Sequence, residues 1–187
     1  MPTPQQAAPV SSAAINADAA QSLLRMAVGP EILAVPIQQV REILEVSRLT
    51  PLPRTPSFVR GVMNLRGAVV PVIDLSARLG MKPAVLGRRS CIVVVESHQE
   101  LPDDEAADVE EDLTGSLVVG LLVDAVYEVF DTLSSRIEGV PSLGTRIPGD
   151  MLAGMTRARG EVIGLLALSR VLSARELTAL IASHSAH

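Results

Sequence analysis

Two blocks of this 187-residue chain recur in the same order, and the recurrence limits what the chain can fold into more than any other feature. Arg66 to Leu79 reads against Arg159 to Leu172 at a spacing of 93 residues, with Arg, Gly, Val, Leu, Ser and the closing Leu coinciding. Upstream, Gly29 to Val35 and then Val40 to Ile43 read against Gly115 to Leu121 and then Val126 to Val129 at a spacing of 86. The spacings differ by 7 residues, which a longer connection in the second half supplies. A period this long is no solenoid repeat and predicts two similar small β subdomains. Each half, at about 75 residues, buries a low fraction of its surface alone, so the halves are expected to share an apolar interface. A groove where they meet is the default binding site.

The text between Gly and Pro punctuation supports the β reading. Leu23 to Val28, Ile32 to Val35, Val40 to Val46, Ala68 to Ile73, Cys91 to Val95, Leu117 to Val123, Val126 to Phe130 and Val162 to Ala167 are short aliphatic, β-branched runs. Such runs without long helical periods predict a mainly β sandwich or barrel. Two helices are expected. Thr55-Pro56 places a capping residue before a first-turn proline and predicts one or two turns through Ser57 to Met63. Ser173-Ala174-Arg175-Glu176 has capping-box spacing, with Leu177, Leu180 and Ile181 on one apolar face, and predicts a closing helix. Residues 1 to about 20, rich in Ala, Pro, Gln and Ser, are expected to be a disordered tail.

Composition excludes several kinds of chemistry. With no Trp, one Tyr and two Phe, the chain lacks stacking platforms for single-stranded nucleic acid. The single Cys91 lies in an apolar run and reads as a buried small hydrophobe. His184 and His187 fall in the C-terminal tail and His98 borders an acidic stretch, so neither a metal site nor a Cys-His pair is expected. There is no Gly-x-Ser-x-Gly elbow, no Gly-x-Gly-x-x-Gly loop, and no Walker context for the lone Lys82. Paired carboxylates among Glu42, Asp74, Asp124 and Glu128 are compatible with acid-base work, but Asp74 and Asp124 end apolar strands, where a turn or capping role is expected. No apolar stretch reaches the roughly 18 to 20 residues of a membrane span, and the N-terminus does not read as a secretory signal. A cytoplasmic protein is expected.

Charge is unevenly placed. Nine of the 21 acids lie between Glu96 and Asp112, a span without Lys or Arg, so the net charge of -5 hides a basic body. The acidic stretch reads as a solvated insertion, with contact to a basic partner as the alternative; it lacks the spacing of a calcium loop. Between Arg25 and Arg89 there are ten basic side chains against four acidic ones. Arginine forks suit fixed contacts to carboxylates and carbonyls, so this region fits an acidic protein partner.

Val40-Arg41-Glu42-Ile43, followed by Pro56-Ser57-Phe58-Val59-Arg60-Gly61-Val62-Met63-Asn64-Leu65-Arg66-Gly67 and Ala68-Val69-Val70-Pro71-Val72-Ile73-Asp74-Leu75, resembles the CheW family of bacterial chemotaxis coupling proteins. Val118 to Val126 resembles the strand pair of that family's second subdomain. The chain departs from the usual pattern in having Leu24, Met26 and Leu33 where aromatic residues are common, a long acidic insertion, and an N-terminal tail. The resemblance implies two intertwined five-stranded SH3-like β-barrels with a few short helices. On that basis residues 21–183 form one CheW-like domain, with a first barrel at about 21–85 completed by the C-terminal segment. The second barrel is expected at about 88–165, carrying the acidic loop 96–113, with 184–187 as a tail.

The resemblance also implies a non-enzymatic adaptor without cofactors. Its expected partners are a CheA-type histidine kinase, the cytoplasmic hairpin tip of methyl-accepting chemoreceptors, and other CheW-like proteins, with recruitment to membrane-associated receptor arrays. The implied contacts are Val40, Glu42, Gly61, Asn64 and Arg66 along the groove between subdomains, with Gly120 on the opposing wall. Each has a structural alternative: Gly61 and Gly67 permit tight turns, Val40 belongs to the core, and Arg66 braces its own loop. The other readings left open are an accessory regulator that competes with the main coupling protein and a second-messenger sensor using the inter-barrel groove.

Overall fold

The computed structural model describes residues 19–97, 116–141 and 146–172. Ten strands occupy them: β1 (Ala20–Val28), β2 (Glu31–Pro36), β3 (Val40–Glu45), β4 (Val59–Leu65), β5 (Ala68–Asp74), β6 (Cys91–Ser97), β7 (Leu117–Val123), β8 (Ala125–Leu133), β9 (Leu152–Ala158) and β10 (Glu161–Leu166). Two single-turn helices follow the repeated hairpins, α1 (Leu75–Arg78) and α2 (Leu168–Val171). The strands form two open five-stranded sheets, a first in the order β8-β1-β2-β10-β9 and a second in the order β3-β6-β7-β5-β4.

These two orders are the same order. Adding the repeat spacing converts β3 into β8, β2 into β7, β5 into β10 and β4 into β9, leaving β1 opposite β6. Even the parallel contact recurs, with Val72 beside Gly120 in the second sheet and Leu165 beside Ala34 in the first. Each repeat nevertheless contributes to both sheets, because the chain crosses over after β2, through a turn at Ile37–Gln39, and again after β7.

Strand alternation explains how one chain fills three cores. In β6, Val93 and Val95 enter a central cluster with Leu24, Leu33, Ile73, Leu121 and Leu166, drawn from both sheets. Ile92 and Val94 face the other way, into a smaller cluster with Met63, Val70, Val72 and Leu122. Leu23, Ala34, Ile163 and Leu165 form the matching cluster of the first sheet. A shared interface between similar subdomains is therefore built as the repeat predicts.

Several expectations need correction. The helix expected through Ser57 to Met63 is absent: β4 occupies that stretch, and Val59 N only closes a turn onto Pro56 O at 2.9 Å. Pairing with β5 across a two-residue turn outweighs the local capping signal. Strand β9 lay outside the apolar runs because Gly154, Thr156 and Arg157 break its hydrophobic text. The stretch expected as a first barrel, about 21–85 completed by the C-terminal segment, feeds both sheets, since β1 and β2 join β8–β10 while β3–β5 join β6 and β7. Cys91 is half-buried rather than buried; burial pushes its thiol up, against a smaller lowering by a backbone hydrogen bond from Val126. The tail, nearly all of the acidic stretch and the closing helix lie outside the described residues.

Candidate protein-docking site

The β4–β5 hairpin holds the centre of the site. Leu65 pairs with Ala68, so Arg66 and Gly67 alone make the turn, with φ of 53° and 89°. Positive φ at both central residues is the geometry that suits the twist of a hairpin. The Asn64 carboxamide oxygen accepts the Gly67 N–H at 2.9 Å and closes the turn. Asn64 is thus a local brace with an exposed side chain.

Held this way, the Arg66 side chain is 80% exposed and its Nη2 lies 3.2 Å from Glu42 Oε2. Glu42 reaches it from β3, where the register slips between Val40 and Glu42 against β6. Arg41, within the same bulge, places Nε 2.7 Å from Glu96 Oε2. A groove of about 640 Å³ runs between these elements, lined by Arg41, Glu42, Arg66, Val69, Pro71 and Leu117 among others. Val69 is 67% exposed on its rim. Only one guanidinium nitrogen of Arg66 faces Glu42, which leaves donors directed outward. An exposed ion pair beside an apolar rim is chemistry for recognising another protein.

The remaining expected residues act differently. Val40 is half-buried against the central cluster. Gly61 is buried at a bulge in β4 with φ of 139°, and a Cβ there would overlap the carbonyl oxygen of Thr50, which exchanges two 2.9 Å hydrogen bonds with Val62. Gly120 is not on a groove wall: it is buried in β7, where a Cβ would sit 2.7 Å from Ile92 Cγ2 and 3.1 Å from Val72 Cγ2. All six residues lie on the second sheet or its hairpin turn, so they do not span a groove between the sheets. Glu42, Asn64 and Arg66 come together at the hairpin turn; Gly61 and Gly120 are buried within the same sheet.

Sequence reading missed Arg41, Glu96 and Val69. Arg41 stands in the motif without a role of its own and Glu96 stands at the edge of the acidic stretch, and their pairing depends on the β3–β6 register. Val69 was read as strand interior, but β5 begins exposed at the hairpin tip and becomes buried from Val70 onward. Nor do the ten basic side chains form one patch. Arg25 lies on β1 in the first sheet, paired with Glu161 and Glu128, while Arg60 pairs with buried Asp74. Asp74 caps α1 through Ala77 N at 3.1 Å and holds Ala84 N at 2.9 Å, and Asp124 accepts the Gly29 N–H at 2.6 Å, so both acids are turn residues.

The CheW-like domain family profile matches residues 22–176. Chemotaxis protein CheW of Rhizobium meliloti is 35% identical over 156 residues, covering 83% of this chain and 90% of that protein. Protein FrzA of Myxococcus xanthus is 35% identical over 172 residues, covering 88% of this chain and 93% of its own. Among solved structures, the scaffolding protein TtCheW from Thermoanaerobacter tengcongensis superimposes with a TM-score of 0.68 at 27% identity, covering 82% of this chain and 88% of that one. Profile, relatives of matching extent and a shared fold agree that this chain belongs to the CheW-like domain family.

Proposed function

We propose that this protein is a non-enzymatic adaptor that couples chemoreceptors to a CheA-type histidine kinase, in flagellar chemotaxis or a related chemosensory pathway. The receptor's cytoplasmic tip docks on the Glu42–Arg66 surface. Family membership supports the scaffold role, and the relatives' names support chemotaxis. The observation that carries the site is a single one: Arg66 is held by its own turn and by Glu42, yet remains 80% exposed at the mouth of a groove. No helix among the described residues is long and apolar enough to cross a membrane.

Co-sedimentation of the full chain with receptor-containing membranes and the kinase tests the proposal. The wild-type chain should be retained by both partners, and Arg66→Glu should lose receptor capture while keeping its melting curve. Retention by neither partner overturns the adaptor reading. Loss of the fold in Arg66→Glu would instead assign Arg66 to bracing.

A further inference from the structure

The internal duplication repeats the docking surface as well as the strands. At the β9–β10 hairpin, Arg159 and Gly160 have φ of 53° and 78°, matching the turn at Arg66 and Gly67. Glu128 stands on β8 where Glu42 stands on β3, and Arg159 Nε lies 3.2 Å from Glu128 Oε1. Arg159 is 74% exposed, much like Arg66. Gly154 repeats the close approach of Gly61, since a Cβ there would lie 2.9 Å from the Glu138 carbonyl oxygen. Glu138 bridges Met155 as Thr50 bridges Val62. Val162, 44% exposed, repeats Val69. An exposed ion pair contributes about 0–1 kcal/mol to stability, so folding does not require one in either place.

The second copy differs in charge. Asn64, which closes the first turn, is replaced at the matching position by Arg157, which has no acceptor with which to do so. Arg157 and Arg136 are both exposed and line a groove of about 560 Å³ with Glu138, Met155, Pro141 and Val162. Among the described residues, neither guanidinium has an ion-pair or hydrogen-bond partner. Two unpaired guanidiniums against one carboxylate select a partner that carries acids.

We propose that the first sheet carries a second docking face, centred on Glu128–Arg159 and the Arg136–Arg157 groove, which takes a second hairpin of the receptor-tip class through a carboxylate-bearing stretch. The inference rests on the reading of Glu42–Arg66 as the receptor surface, because the same residues in the same geometry accept the same class of partner. The adaptor is then bivalent, and one chain joins two receptors with the gain in avidity that linkage brings.

Calorimetric titration of the full-length chain with a soluble receptor-tip hairpin fragment, with sedimentation velocity alongside, reads the stoichiometry. The expected result is two hairpins per wild-type chain, one for Arg66→Glu, one for Arg159→Glu and none for the double variant. Val162→Asp should weaken the second site about tenfold or more. If Arg159→Glu does not fold, Arg157→Glu, whose guanidinium holds no ion pair or hydrogen bond among the described residues, serves in its place. A single site abolished by Arg66→Glu and untouched by Arg159→Glu overturns the second face and leaves the receptor reading standing. A single site with the opposite pattern overturns that reading and keeps the second face. No binding by the wild-type chain overturns both, and self-association lost in Arg159→Glu gives the face to a second copy, overturning the hairpin.

Discussion

Two glycines in one hairpin separate structural from functional constraint at the scale of single residues. Gly61 has φ of 139° and the Thr50 carbonyl where its Cβ would be, whereas Gly67 has φ of 89° and open space. Gly61→Ala should therefore cost about 3 kcal/mol or more, since backbone strain adds to a clash with a paired carbonyl. Gly67→Ala carries only the strain of left-handed backbone and should cost about 1–2 kcal/mol. Urea unfolding of both variants checks the order, and equal costs would refute the steric account. Arg66→Glu should sit apart from both, within about 1 kcal/mol of wild type, because an exposed ion pair contributes little to stability. Asn64, Arg66 and Glu42 were thus legible as a motif, but their division of labour was not. Nothing in the order of letters says which side chain turns outward, or that Gly120 packs against Ile92.

Elements are where local signals and partners compete. Thr55-Pro56 is a sound helix start, yet Val59 to Leu65 is a strand because β5 and the Thr50 bridge satisfy its backbone on both sides. The Arg66-Gly67 pair between apolar runs was the better signal, being a two-residue hairpin turn. The junction of β5 and α1 depends on Asp74, which is 1% exposed and accepts from Ala77 N and Ala84 N beside Arg60. Asp74→Ala should cost about 2–4 kcal/mol by orphaning those donors and that cation. Amide exchange at Ala84 should rise sharply; unchanged protection would show that the segment is held by its apolar contacts instead. Arg78 supports the opposite end of the same region, donating from Nε to Val171 O at 2.8 Å while stacking 4.8 Å from Phe58. It joins α1 to α2, the two helices that the repeat makes equivalent.

For the whole molecule, the crossovers decide how it unfolds. Because the central cluster draws on both sheets and each repeat supplies strands to both, calorimetry should show one transition with equal calorimetric and van't Hoff enthalpies. A fragment of residues 1–85 holds β1–β5 but strips β1 of β8, β2 of β10, β3 of β6 and β5 of β7. It should be unfolded alone, with poorly dispersed amide resonances, and should regain dispersion when residues 86–187 are added. An independently folded fragment would mean that the sheets do not depend on one another. Most of the strands were readable because burial on one or both faces writes itself into alternation and apolar runs.

The order of residues alone established a duplicated, mainly β chain, the family motif, and the absence of familiar catalytic signatures. These follow from local rules, such as strand period and turn chemistry, that act within a dozen residues. Only the tertiary structure shows that each repeat feeds both sheets, that the six motif residues lie on the second sheet and its hairpin turn, and that Arg66 faces Glu42 across 24 positions of chain. Those outcomes depend on crossovers and on a register slip at Glu42, where packing between distant segments sets the energy and no local pattern records it.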